Sequence, residues 1–336
     1  MQTEKHTPLS STELGTLWMT YQTKTMMLQI YTHFLEGAMD EEPARIMKYD
    51  RDKASEGISR IKDIFGEAGA VIPQGFTEQD VTRDAPRLFD PVFEVMYLRM
   101  MSKVLTGLYA LYNSMSYRSD IRQLYRRLTM ESQETYDRTT ELLLEQGTLI
   151  HPPDVTMPHE VEFVRDKSYM RGLNPFRNNR SLNTVEVGHL YQAIETNLTG
   201  MQLMTGFAQG AAEPEVRMYF TKGKNLAKKI VLELSGVLMK SDVTAPAPWA
   251  GKATDVTVSP FSDKLMMYNT SLLSNFGLGS NALGSAFSLR SDLHALMASL
   301  SKDVFSFAVE GGRLMIKNNW MEEPPQMEDR RQLTRS

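Results

Sequence analysis

The side chains in this 336-residue chain that could do chemistry together are carboxylates and histidines set at helical spacing. His33 precedes Glu36 by three residues, and Glu56, Glu94 and Glu131 (with Glu134 one turn on) fall in three further apolar-periodic stretches. A di-metal carboxylate site in a helix bundle takes a Glu from each of two helices and a Glu-x-x-His from each of the other two. Residues three apart share a helix face, so such a pair can reach the same metal ions. Glu36, Glu56, Glu94 and Glu131 are therefore the candidate metal ligands, and the donor set is incomplete. No Glu-x-x-His occurs in the stretches carrying Glu56 and Glu131, and the one such pair in the chain is Glu186 with His189. The matching places in the second half hold Gln209, Lys228, Met266, and Asp303 with Ser306, and Lys228 sets a positive charge where a ligand should be. The expectation is no bound metal or other cofactor.

Other patterns carry less. Gly277-Leu278-Gly279 with Gly284 sits inside a helical stretch with no strand before it, so it lacks the setting of a phosphate-cradling loop. Those glycines are expected to admit a neighbouring helix or the other bundle. Lys222-Gly223-Lys224 lacks the Ser or Thr of a P-loop. Arg118, Arg122 and Arg126 form an i, i+4, i+8 stripe, and Arg165, Lys167, Arg171, Arg177 and Arg180 follow. In the second half Arg122 and Arg126 become His294 and Ala298, and the formal net charge is −4. Binding of nucleic acid through bulk charge is thus disfavoured. The 23 methionines suit irregular core filling or an adaptable binding surface. A cavity of ~300 Å³ or more would mark an apolar-ligand module. No cysteine is present, which removes disulfides, thiolate nucleophiles and cysteine metal sites. The six histidines, including His6, show no nucleophile pattern around them.

The elements that must position these residues form a unit written twice. Tyr117-Arg118-Ser119-Asp120-Ile121 answers Leu289-Arg290-Ser291-Asp292-Leu293, and Pro152-Pro153 answers Pro324-Pro325, at a shift of 172. Leu28-Gln29 and Phe34 match Met201-Gln202 and Phe207 at a shift of 173. The apolar spacing predicts helices near 12–40, 43–70, 87–115 and 118–147, then 184–212, 214–240, 261–288 and 290–318. Pro43 and Pro214 stand at first turns, and Gly147 suits a helix end. The link between the second and third helix is long in each half, with Pro73, Gly75 and Pro86 in one and Pro246, Pro248, Gly251 and Pro260 in the other. A four-helix bundle with one long crossover has ferritin-like topology, though loop length alone leaves a simple up-down bundle open.

Pro152, Pro153, Pro158 and Pro175 exclude a continuous helix over 151–180. Val161–Val164 is expected to pair as a short strand or to lie on a bundle surface. The residues after Met321 read as a charged, disordered tail. Met1–Ser11 shows no apolar leader. Leu265–Leu289 is uncharged and long enough to cross a bilayer, but Asn269, Asn275 and Asn281 make it a buried helix of a soluble bundle. Asn197-Leu198-Thr199 and Asn269-Thr270-Ser271 match a glycosylation pattern by chance.

Several segments resemble a known family: Leu14–Trp18, Leu143–Gly147 with His151-Pro152-Pro153, Pro260–Met267, and Met315–Pro325. The chain resembles an uncharacterised family of spore-forming Bacillus-like bacteria whose members carry two tandem ferritin-like bundles and are grouped near spore coat protein F. The resemblance implies the ferritin-like topology and a spore connection, and supplies no activity or site residues.

The chain therefore reads as all-α, two tandem ferritin-like four-helix bundles arranged as an internal pseudo-dimer. The expected domains are 1–150, a linker 151–180, 181–322, and a tail 323–336. The expected role is a non-catalytic structural or interaction protein of the cytoplasm or developing spore. Its expected partners are proteins, including further copies of itself, with no nucleic acid and no membrane span. The alternatives are a metal-binding ferritin-like protein or oxidoreductase with a reduced di-metal site in the first bundle, and an apolar-ligand bundle.

Overall fold

The computed structural model describes residues 7–149, 151–173, 179–246 and 251–334. His6, Pro175, Arg177, Pro248 and most of Met1–Ser11 lie outside the described residues. Among those described, eight long helices form: α1 (Ser11–Glu36), α2 (Glu41–Ala68), α3 (Pro91–Ser114), α4 (Ser119–Glu145), α5 (Thr184–Gly210), α6 (Pro214–Met239), α7 (Asp263–Phe287) and α8 (Ser291–Lys317). Short helical turns follow at Glu78–Asp80, Lys167–Met170 and, as α9, Arg330–Leu333.

Local sequence explains the helix starts. Ser10 caps α1, its hydroxyl accepting from the Glu13 amide while the Glu13 carboxylate accepts from the Ser10 amide at 2.9 Å. Asn183 and Glu186 repeat this box on α5. Such a cap is worth ~1 kcal/mol. Each glutamate does a second task. Glu13 also accepts from the Tyr117 and Arg118 amides at 2.8 and 2.7 Å, and Glu186 from the Ser288 hydroxyl at 3.1 Å. One carboxylate thus starts the first helix of each repeat and anchors the approach to the fourth. Arg118 with Asp120, and Arg290 with Asp292, form matching forks at that approach. Arg118 is buried in this pairing as a salt-bridged residue.

The chain divides into two compact units. One comprises Met1–Arg83, Met101–Thr139 and Asn319–Ser336, and the other Asp84–Met100 and Thr140–Asn318. The core of the first joins Leu17 and Tyr21 of α1, Ile58, Ile61, Ile64 and Phe65 of α2, Leu105 and Tyr109 of α3, and Ile121, Leu124, Tyr125 and Leu128 of α4. All four helices contribute, as a four-helix bundle requires. The second core joins Leu190 and Ile194 of α5, Ile230, Leu234 and Leu238 of α6, and Leu293, Met297 and Leu300 of α8, with Leu278 of α7 against it. Buried positions register at a shift of 173 through α1/α5 (Leu17 with Leu190, Phe34 with Phe207) and α2/α6 (Ile46 with Tyr219, Ile61 with Leu234). The shift is 172 through α3/α7 (Val95 with Met267) and α4/α8 (Leu128 with Leu300). Glu56 consequently corresponds to Lys229 rather than Lys228, which leaves a lysine at that place either way.

In the second unit the residues before α3 pack against the crossover before α7. The Asp90 amide donates to the Lys252 carbonyl at 3.0 Å and the Thr254 amide to the Leu88 carbonyl at 2.9 Å. Gly251 adopts φ 77, and a Cβ there would lie 2.4 Å from the Phe93 Cα, so backbone conformation and space both demand glycine. Tyr97 and Asn269, the same position in the two repeats, hydrogen-bond to each other.

Glu322, just after Met321, is anchored rather than disordered: it accepts from the Gln74 and Gly75 amides, each at 2.8 Å. Val161–Val164 forms no strand and is exposed, because no neighbouring strand offers it a ladder among the described residues. Asn269 is fully buried within α7, in no position to accept a glycan. Among the described residues no helix is long and apolar enough to cross a membrane.

Candidate functional site

The four candidate glutamates go to different places. Glu36 is exposed at the end of α1. Glu56 is exposed on α2 and paired with Lys53 at 2.8 Å. Glu94 is buried at the start of α3 in the second unit, where Arg87 grips it through two nitrogens. Burial pushes its carboxyl up to about 7, with Arg87 pulling the other way. Glu131 alone faces a bundle centre. The Glu186–His189 pair is divided between two tasks: Glu186 is the cap already described and takes an Arg180 fork at 2.7 and 2.8 Å, while His189 stacks on Phe287 at 5.6 Å. Burial works against charge on Glu186, but the Arg180 and Asn183 hydrogen bonds hold it down at about 2.

Glu131 meets Lys24 of α1 and Asp50 of α2 around a small cavity in the first unit. Neither partner was among the sequence candidates, although each left a signal. Lys24 is the sole lysine or arginine in α1, and Asp50 interrupts the apolar face of α2 between Met47 and Ala54. Asp50 Oδ1 accepts a short hydrogen bond from the Thr135 hydroxyl. Asp50 Oδ2 and Glu131 Oε2 are buried with no hydrogen-bond partner among the described residues. Burial lifts Asp50 to about 7, against the Thr135 bond and the Lys24 charge, and it raises Glu131 as well. Lys24 is lowered by the same desolvation, opposed by Glu131 and Asp50, and its ammonium lies 5.3 Å from the centroid of the Tyr109 ring. The cavity measures about 20 Å³, room for roughly one water. The residues do not fit a di-metal pair. An ammonium group stands among the donors, and among the described residues no three His, Cys, Asp or Glu side chains are placed to hold an ion.

The same positions line a different space in the second unit. There Lys24 is replaced by Asn197, Met27 by Gly200, Asp50 by Gly223, Leu105 by Gly277 and Thr135 by Phe307, and the cavity grows to about 100 Å³. The charge is gone, and Met100, Met204, Leu226 and Ile230 supply apolar walls. A Cβ placed on Gly200 or Gly277 would meet nothing within 4 Å, so Gly277 opens space, whereas Gly284 admits His189 of α5, whose Cβ would lie 3.5 Å from one added there, as the sequence led one to expect. Gly223 differs: its Cβ would lie 2.7 Å from the Phe307 ring, so this glycine makes room for that phenyl group.

No curated protein matches the chain. A solved structure from Bacillus halodurans C-125, provisionally described as a spore coat protein, is similar at 16% identity and a TM-score of 0.41, covering 45% of this chain and 98% of its own. A family model matches twice, over residues 1–161 and 170–333, in keeping with the two repeats. The chain thus belongs to the family described as protein of unknown function, DUF3231.

Proposed function

We propose that the protein is a non-catalytic structural or interaction protein, with ferritin-like bundles put to assembly rather than oxidation. The observation that carries this reading is that the chemically capable groups are committed to holding the fold. Glu13 and Glu186 tie helix starts, Glu94 is bound by Arg87, and Glu56 by Lys53. The remaining cluster, Lys24 with Asp50 and Glu131, surrounds a space of about 20 Å³, too small for any substrate. A surface consistent with partner binding lies in 151–164. Val155, Met157, Val161 and Phe163 fall on odd-numbered positions of this non-helical stretch and are 53%, 67%, 81% and 77% exposed. Exposed apolar side chains of this kind are what a partner surface would bury. The family resemblance in the sequence points this role toward the spore. The likeness to the Bacillus halodurans structure is too slight to add to it.

Elemental analysis of the purified full chain tests the reading against its metal-binding alternative. We expect no stoichiometric iron, manganese or zinc. Metal near two ions per chain, lost on Glu131→Ala or Asp50→Ala, would refute it.

A further inference from the structure

The two repeats have treated one place in the bundle in opposite ways. In the first unit it is closed by charge and bulk. In the second, glycine stands where the first has Met27 and Leu105, and no neighbouring atom fills the opened space. Glycine inside a helix costs ~0.5–1 kcal/mol relative to alanine. At Gly223 the Phe307 contact accounts for it, whereas at Gly200 and Gly277 no packing does. A second observation points to an occupant. Asn281 also lines this space, is only 6% exposed, and its side-chain amide has no hydrogen-bond partner among the described residues. That amide opens onto the space, where a ligand's polar group can meet it. Its counterpart in the first repeat is Tyr109, buried in that core.

We infer that the centre of the second bundle is a binding site for a small apolar molecule bearing one hydrogen-bonding group, its body against Met204, Ile230 and Phe307 and its polar end on Asn281. Size sets the class. The space of about 100 Å³ falls short of the ~300 Å³ expected of an apolar-ligand module, so only a much smaller molecule is in question. The space is nearer the ~150 Å³ of an apolar cavity that accepts benzene. A single ring or a short alkyl chain fits. Charged ligands do not, since no ionisable side chain lines the space. The inference goes beyond the structural role proposed above and does not depend on it.

Phenol and benzene are suitable probes, titrated into full-length protein carrying 13C-methyl methionine. Saturable shifts of the Met100 and Met204 methyl signals are expected with both, phenol binding more tightly. Gly277→Leu restores the first repeat's residue and should weaken both ligands at least tenfold. Gly200→Met does the same from α5, so the test survives if one variant fails to fold, as judged by helical circular dichroism. Asn281→Ala should weaken phenol severalfold and leave benzene within about twofold. Absence of saturation in the wild-type protein overturns the site, as does unchanged affinity in the folded filling variants. Equal loss of phenol and benzene in Asn281→Ala overturns the polar end and with it the assigned ligand class.

Discussion

Asp50 shows how one buried residue sets a pH dependence. Its carboxyl sits at about 7 in the folded protein against an ordinary value of 3.8, chiefly because burial disfavours its charge. Between those values the folded state holds a proton that the unfolded state has released. Stability from this group is therefore fully present below the unfolded value and falls as pH rises through the window to about 7. Glu131, also raised, adds to the fall with the same sign, while Lys24 and Arg138 nearby temper it. Urea melts across that range should show Asp50→Asn with the shallower decline, and the variant should match or exceed the wild type at the alkaline end. The difference should be on the order of 1 kcal/mol or more, since one pKa unit corresponds to ~1.4 kcal/mol. A variant as pH-sensitive as the wild type would mean Asp50 is charged throughout. This residue was hard to find from the chain alone. A single aspartate on an apolar face says nothing of the lysine it meets from α1 until both helices are placed. Glu56 shows the converse: its type and spacing suited a ligand, yet it lies on the solvent side with Lys53.

At the scale of elements the sequence was far more legible. The three-and-four spacing of Ile121, Leu124, Tyr125 and Leu128 places all four on the buried face of α4. Helix ends fell within a few residues of their expected places because proline, glycine and capping residues act locally: Pro214 at the start of α6, Gly69 at φ 65 after α2, Ser10 and Asn183 before α1 and α5. Side-chain partners arriving from other helices leave no such local mark, so the Asn269–Tyr97 pair stayed hidden. The assigned faces can be tested directly. Leu128 and Leu300 are 1% and 0% exposed, and truncating either to alanine should cost ~2–5 kcal/mol through lost transfer energy and the cavity left behind. Arg122 is only half-buried, and its guanidinium reaches no further than the Tyr117 carbonyl; Arg122→Ala should cost less than ~0.5 kcal/mol. Denaturant melts with unchanged slope are the measurement. Equal damage from Arg122→Ala and Leu128→Ala would show that the α4 face is misassigned.

For the whole molecule, the compact units and the sequence repeats are not the same partition. The first unit takes Asn319–Ser336 from the end of the chain, and the second takes Asp84–Met100 from the first repeat. Each unit therefore needs residues written in the other half. Duplication can produce this arrangement without new elements, because the segment after the fourth helix of either repeat carries the same Pro-Pro landmark, Pro152-Pro153 or Pro324-Pro325. Glu322, two residues before the second Pro-Pro pair, is held in the first unit. The anchor itself is specific. Glu322 accepts from two consecutive amides, Gln74 and Gly75, and Gly75 has φ 65, where a Cβ would lie 2.5 Å from the Thr25 hydroxyl of α1. Bonds from amides to a carboxylate are worth ~1.5–3 kcal/mol where water is excluded, and less on this partly exposed surface. Glu322→Ala should thus leave global stability within ~1 kcal/mol while freeing the crossover it holds. Hydrogen exchange at the Gln74 and Gly75 amides should quicken at least tenfold, with α5 through α8 unchanged. Unaltered exchange at those two amides would show that the chain's end contributes nothing to the first unit, and the shared partition would then rest on backbone proximity alone.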